Sequence, residues 1–178
     1  MKFDSNPKPS NQVNTKQDTM ANGQHNRVGL EKSSVEPLVQ EWNLLLSDYQ
    51  VYYQNLRGVH WNIKGEHFFT LHEKFEELYT TAADNIDMVA ERVLTLGSTP
   101  YHSFKAYLEH SDLDAVENVT GARESVSLVL DNTTQIISRL RKVVDLAENA
   151  SDEGSADMAI ELMRELEKNT WMLEAFLR

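Results

Sequence analysis

The sequence predicts an all-α protein, a four-helix bundle with a long crossover between its two helix pairs. Four long segments repeat apolar residues at three- and four-residue steps, which is the period of an amphipathic helix. Links within each pair are short, whereas residues 98–120 separate the pairs. Even the β-branched run at 141–146 falls within a helical period. The length of 178 residues suits one domain with a sizeable core.

The first helix is predicted to begin at Ser33. Ser33 and Glu36 have capping-box spacing, and Pro37 is tolerated in a first helical turn. Gly65 is a natural stop signal after the last apolar turn. The apolar positions of this helix are Leu38, Trp42, Leu45, Leu46, Tyr49, Tyr53 and Leu56.

The second helix is predicted over residues 67–96, with Gly97 as its C-terminal signal. Because its link to the first helix is short, the two helices should form an antiparallel hairpin. Its apolar positions are Leu71, Phe75, Leu78, Ala82, Val89, Val93 and Leu96.

The second half of the chain predicts a short helix and two long ones. Pro100 interrupts the connection after the hairpin, and a short helix fits Phe104 to Glu109. The segment 149–154 then separates the third and fourth long helices. Their apolar positions are Val126, Val129, Leu130, Thr133, Ile136, Ile137, Leu140 and Val144 in the third, and Met158, Leu162, Met163, Leu166, Trp171 and Leu173 in the fourth.

Residues 1–33 are predicted to be a disordered polar tail, which leaves 34–178 as the folded domain. The tail contains several Pro and Gly residues and no sustained apolar period. It has five basic and three acidic residues, a net charge of +2, against −13 for the remainder.

The overall charge and composition favour a soluble, cytoplasmic protein. The chain has no cysteine, which excludes disulfides and thiolate metal sites, and its N-terminus lacks the apolar run of a secretory signal. No apolar stretch reaches the ~18 residues needed to span a membrane. The net charge of −11 would attract cations and disfavours a general nucleic-acid surface, although it could serve solubility alone.

Four residues on the first two helices are candidate metal ligands: His60, His72, Asp87 and Glu91. Imidazole and carboxylate groups suit a divalent cation such as iron(II). Asp87 and Glu91 lie four residues apart on one helical face, with no Lys or Arg at a four-residue spacing to pair with them. Singly, each histidine could be structural, and the two acids could form a solvated face.

The helix rise separates these four residues into two half-sites. His72 and Asp87 are 15 residues apart on one helix, which places them ~22 Å apart along its axis. They cannot share a metal within one chain. Antiparallel twofold packing of two hairpins would bring the histidine end of one subunit to the acidic end of the other and make two equivalent sites.

The segment HWNIKGEHFFTLHEKFEELYTTAADNIDMVAERVLTLG, residues 60–97, resembles the signature of the Dps family of mini-ferritins. The elements that carry the resemblance are HWN-x-KG, LHEKFEELY and D-x-x-x-ER. It extends over residues 35–178 and includes DMAIELMRELEKNTWMLEAFL near the C-terminus. It implies a ferritin-like four-helix bundle in a cage of twelve subunits.

The resemblance also implies the activity. Ferroxidase ligands would be His60 and His72 from one subunit with Asp87 and Glu91 from its twofold mate, and Glu76 would assist a second, weaker iron site. Iron(II) would be oxidised preferentially by hydrogen peroxide, and iron(III) mineral would be stored in the cage. This reaction would protect against oxidative damage.

Two further features carry alternative interpretations. Trp61, beside His60, could donate an electron to the centre or could be a packed interface aromatic. The resemblance places an acidic threefold pore at the turn between the third and fourth helices, although Glu153 could simply favour the helix N-terminus. The pore candidates are Glu148, Glu153 and Asp157.

Three other functions compete with this interpretation. Some Dps proteins compact DNA through basic tails, which would add nucleoid association, and twelve weakly basic tails could act together. A bundle that serves only as a binding module would make the ligand set accidental. A larger ferritin would have Glu-x-x-His within its bundle, which this sequence lacks. No ligand role is assigned to His25, His67, His102 or His110.

Overall fold

The computed structural model describes residues 23–178 and confirms the all-α bundle. Within these residues there is no strand, only an isolated bridge between His25 and Glu31. None of the helices in this range is long and apolar enough to cross a membrane. The helices are α1 (Lys32–Asn62), α2 (Phe68–Thr95), α3 (Phe104–His110), α4 (Ala122–Asn149) and α5 (Glu153–Leu177).

The N-terminus of α1 does not have the capping box predicted at Ser33, so that prediction was wrong. The N-cap residue is Glu31, two positions before Ser33, and the helix itself begins at Lys32. Ser33 therefore lies inside the first turn, where its hydroxyl donates to the Glu31 carboxylate at 2.9 Å. A side chain can cap only from the N-cap position outside the helix, so this shift of two residues removes the motif.

Residues 23–31 form a turn against the C-terminal end of α2. The Asn26 amide donates to the carbonyl of Leu96 at 3.2 Å, and its oxygen accepts the backbone N–H of Leu30 at 2.9 Å. This contact ties the segment before α1 to the far end of the hairpin. The rest of the predicted tail, residues 1–22, lies outside the described residues.

The core is built around large side chains of the α1–α2 hairpin. Trp42, Tyr49, Tyr52 and Phe75 are almost completely buried between the long helices. Trp171 was expected on the apolar stripe of α5 but is 66% exposed. It lies two residues beyond the buried Asn169, and two residues rotate a helix by about 200°, so Trp171 is on the opposite face.

The crossover is anchored by Arg139, a buried residue of α4. Its guanidinium binds Asp48 and Glu41 of α1 and also Asp112, which follows α3. Asp48 is itself buried and accepts the hydroxyl of Ser111 at 2.9 Å. These contacts attach α3 and the following segment to α1 and α4.

Candidate metal centre

His60 and His72 meet where the last turn of α1 faces the first turns of α2. Gly65, at φ +102°, makes the tight link that brings the two helices together. The imidazole rings are stacked with centroids 3.8 Å apart. Each Nδ1 lies 2.8 Å from the backbone carbonyl of the other histidine. The pair is thus held by two reciprocal hydrogen bonds.

These hydrogen bonds determine which ring nitrogens remain available. A carbonyl oxygen only accepts, so Nδ1 of each ring must carry the proton and donate it. In the neutral ring, Nε2 then has the free lone pair that binds a metal, and the hydrogen bond of Nδ1 fixes the ring orientation. His60 is only 7% exposed, so its orientation is further restricted by packing.

Glu76 supplies a carboxylate to the same place, one turn after His72. Ligand atoms of His60, His72 and Glu76 all lie within 4.8 Å of one another. Two imidazoles and a carboxylate suit a borderline divalent cation such as iron(II). Among residues 23–178 this is the one group of three or more such side chains with metal-binding geometry.

Tyr79 completes the surroundings of this cluster. Its hydroxyl donates to Glu76 Oε1 at 3.3 Å, and its ring meets His60 edge-on at 5.2 Å. Burial and the Glu76 carboxylate raise the pKa of Tyr79, so the phenol stays protonated at neutral pH and remains a donor. The sequence interpretation did not include Tyr79. Its position three residues after Glu76 places the two side chains on the same face of α2, which was the available signal.

Asp87 and Glu91 lie further along α2 and do not join this cluster. Both side chains are exposed, and α2 runs as one helix from Phe68 to Thr95. The distance of ~22 Å from His72 along the axis therefore holds. Within one chain, the structure brings together the histidine half of the predicted ligand set but not its carboxylate half.

Arg92, next to Glu91, anchors this second half of α2 to the rest of the fold. Its guanidinium binds the carboxylate of Asp152, and its Nε donates to Ser155 Oγ at 2.9 Å. Trp42 donates to the same hydroxyl at 3.2 Å. A Cβ at Gly154 would lie 3.2 Å from the guanidinium, so a larger residue here would require the Arg92 side chain to shift. The sequence interpretation missed Arg92 because its partners are some 60 residues away.

Asp152 caps α5 and belongs to the same junction. Its carboxylate accepts the backbone N–H of Ser155 at 3.1 Å, as an N-cap aspartate does. Burial raises the pKa of this carboxyl, but hydrogen bonds from Ser155 and Arg92 outweigh burial and hold the pKa below its ordinary value. The sequence signal that could have identified Asp152 is its residue type, because an aspartate immediately before the fourth long helix is a typical N-cap.

The predicted pore residues lie at the α4–α5 turn and are exposed. Glu148 is in the last turn of α4, whereas Glu153 and Asp157 are four residues apart at the start of α5. Trp61 is also exposed, with the guanidinium of Arg57 4.5 Å from its ring centroid. Neither the acids nor Trp61 belong to the ligand cluster of His60, His72 and Glu76.

The four unassigned histidines lie away from the cluster's ligand atoms and contact other groups. His25 is in the turn before α1, and His67 stands at the N-cap of α2 with its ring 5.2 Å from Phe176. His102 lies 2.9 Å from the carbonyl of Pro100, and His110 stacks on Tyr101.

The chain is similar to known proteins over most of its length. A family model described as a ferritin-like domain matches residues 41–178. A Brevibacillus brevis protein named DNA protection during starvation protein is 42% identical over 82% of this chain and 99% of its own length. A second protein of that name, from Bacillus anthracis, is 39% identical over 79% of this chain and 96% of its own length.

Solved structures agree with the sequence matches. A Dps protein from Vibrio cholerae O1, described as a ferritin-like diiron-carboxylate protein, superposes with a TM-score of 0.86 at 39% identity. The match covers 87% of this chain and 98% of that one. The Dps protein from Bacillus brevis gives 0.80 at 40% identity, over 82% of this chain and 98% of that chain.

Proposed function

This chain belongs to the ferritin-like family, in its Dps branch, and on that premise we propose that it is a mini-ferritin that oxidises and stores iron. The observation that supports this most is the cluster of His60, His72 and Glu76, whose two imidazoles are held with Nε2 free. Such a donor set fits iron(II), which is the substrate in this proposal.

A second subunit completes the centre in this proposal. Asp87 and Glu91 are exposed on α2 and too far from His72 to reach it within the chain. A twofold axis that pairs two hairpins in antiparallel fashion places the acids of one subunit beside the histidines of the other. Dimerisation is then a condition of activity, and six such dimers would form the dodecamer implied by the family resemblance.

The chemistry follows from the ligands. Two iron(II) ions give one electron each to one hydrogen peroxide, which takes up two protons and leaves as two water molecules. Carboxylate ligands stabilise the harder iron(III) product before it hydrolyses to mineral in the cage. The reaction removes peroxide and iron(II) together, so it protects the contents of the cytoplasm from oxidative damage.

The exposed acids at the α4–α5 turn provide an entry route in the same proposal. Glu148, Glu153 and Asp157 would form a ring of carboxylates where three subunits meet, and that ring would concentrate cations and direct them inward. The alternative role of Glu153, a favourable charge at the start of α5, uses the same residue without a pore.

Iron(II) oxidation by peroxide tests the shared centre. We expect His60→Ala and Asp87→Ala each to lose most of the wild-type rate, because each removes a ligand from every site. His102→Ala and Asp84→Ala are matched controls of the same residue types outside the ligand set and should keep the rate. Unchanged rates in both ligand variants would contradict the proposed centre, whereas a wild type that does not oxidise iron(II) at all would leave a non-redox binding module.

Mixed oligomers distinguish a shared site from a site within one chain. A dimer of one His60→Ala and one Asp87→Ala subunit has one site with both ligands lost and one site intact. Random mixing should therefore restore about a quarter of the wild-type rate, since half of the dimers are mixed and each has one of two sites. No recovery on mixing would place the whole centre within one subunit.

DNA binding is a second candidate, suggested by the name of the Brevibacillus and Bacillus relatives. The net charge of +2 on residues 1–33 is the feature that would carry it, against −13 on the remainder. A gel shift at low salt with the full chain and with a version that lacks residues 1–22 tests it. Absence of a shift with the full chain would remove this function.

A further inference from the structure

The histidine cluster is joined to a group of aromatic side chains through Tyr79. The hydroxyl of Tyr79 donates to Glu76, and its ring meets the edge of His60. Tyr53 then packs edge-on against Tyr79 with centroids 6.1 Å apart. The guanidinium of Arg57 lies 5.4 Å from the Tyr53 ring centroid and 4.5 Å from that of Trp61, so Trp61 meets this group of aromatic side chains through Arg57.

We propose that Tyr79 is a one-electron donor to this metal centre, used when a single iron(II) ion meets hydrogen peroxide. The inference rests on the proposed ferroxidase function and assigns a role in it to a residue outside the predicted ligand set. Tyr79 contacts both a proposed imidazole ligand and a proposed carboxylate ligand, and its phenol can be oxidised by one electron, whereas the phenyl ring of Phe68, which stacks on His72, has no such group.

The need for a donor comes from the electron count. Hydrogen peroxide takes two electrons to reach the level of water, but one iron(II) ion supplies only one. If nothing supplies the second, the products are iron(III), hydroxide and a free hydroxyl radical. A centre with one ion bound therefore releases a damaging species unless a nearby side chain is oxidised.

With Tyr79 as donor the step balances. Iron(II) gives one electron, and the Tyr79 phenol gives one electron and one proton. The O–O bond of the peroxide breaks, and the products are iron(III), one water, one hydroxide and the tyrosyl radical. The hydroxyl hydrogen bonds to Glu76, so the proton leaves along an existing hydrogen bond towards the centre.

Electron paramagnetic resonance on the full-length oligomer tests this assignment. The protein is supplied with one iron(II) per centre, mixed with one equivalent of peroxide and frozen rapidly. We expect a tyrosyl radical in the wild type, loss of it in Tyr79→Phe, and retention in Trp61→Phe. Tyr101→Phe, in the crossover, is the matched control and should also retain it. Ring-deuterated tyrosine should narrow the signal, which identifies the radical as tyrosyl.

A spin trap for hydroxyl radical provides a second measurement on the same samples. Trapped radical should rise in Tyr79→Phe above the wild type, since the second electron is then missing. A tyrosyl signal that persists in Tyr79→Phe would overturn the assignment. So would a tryptophan signal that only Trp61→Phe removes. If Tyr79→Phe fails to fold, the deuterium labelling and Trp61→Phe still decide between the two residue types.

The parent function is checked separately, with two iron(II) ions per centre and peroxide. Wild-type protein that does not oxidise iron under this condition contradicts the proposed function itself. Wild-type protein that oxidises iron normally but gives no tyrosyl radical at one ion per centre contradicts only the role of Tyr79.

Discussion

The two ends of the α1–α2 hairpin are built in different ways. The histidine end, formed by His60, His72 and Glu76, is assembled within one chain by stacking, reciprocal hydrogen bonds and packing. The carboxylate end, formed by Asp87 and Glu91, is exposed and has no such organisation in the described residues. Folding thus prepares one half of the proposed centre, and association must provide the other.

The physical chemistry of the two ligand types explains this difference. An imidazole can be buried while neutral if its second nitrogen has a hydrogen-bond partner, as both histidines have here. An ionised carboxylate without a partner is far more costly to bury. Asp87 and Glu91 can therefore remain hydrated until a cation and a second subunit reach them.

The largest expected loss of stability comes from substitution of Arg92, which binds the carboxylate end of α2 to the α4–α5 turn. Arg92→Ala leaves the buried carboxylate of Asp152 without its guanidinium partner, which should lower the free energy of unfolding by about 3 kcal/mol. Urea denaturation measures this loss.

Arg141→Ala is the matched control for Arg92→Ala, because Arg141 pairs with Glu167 on an exposed surface. Its loss should cost less than about 1 kcal/mol. A loss of stability in Arg92→Ala as small as the loss in Arg141→Ala would contradict a stabilising role for the Arg92 junction.

The next largest loss of stability is expected at the histidine end of the hairpin, and it can be compared directly with a substitution at the carboxylate end. His60→Ala removes a buried ring, its stacking on His72 and the hydrogen bond from its Nδ1 to the His72 carbonyl, so the free energy of unfolding should fall by about 2 kcal/mol. Asp87→Ala changes an exposed side chain and should stay within about 0.5 kcal/mol of the wild type.

These two variants share the same expected loss of iron oxidation, so activity alone does not separate them. Denaturation in metal-free buffer does, because it reports the organisation that exists before iron or a second ligand set is added. A similar destabilisation by both substitutions would remove the distinction between a prepared and an unprepared end.

The smallest effect is a change in pH dependence at the Arg92 junction. The pKa of Asp152 is lowered in the folded chain, so its ionised form contributes stability above the ordinary aspartate pKa of about 3.9. That stability is lost as the pH falls through the lower folded-state value. The difference in unfolding free energy between wild type and Asp152→Asn should therefore shrink below about pH 4. A constant difference at all pH values would contradict this origin.

Much of the fold could be predicted because helix signals are local. Apolar spacing and the stop signals at Gly65 and Gly97 placed α1 and α2 within one or two residues of their observed limits. The capping box at Ser33 failed because the N-cap lies two residues earlier, at Glu31, and a capping box requires the serine at the N-cap itself. Trp171 failed because two residues of offset move a side chain to the opposite helical face.

For the candidate site, the sequence by itself determined the ligand types and the ~22 Å that separates them on α2, since helix rise is the same in every fold. Only the tertiary structure decided that His60 and His72 stack with their Nδ1 atoms occupied, and that Tyr79 contacts the cluster. It also decided that Arg92 meets Asp152. These contacts join different helices or different turns, and their geometry depends on how the whole chain packs.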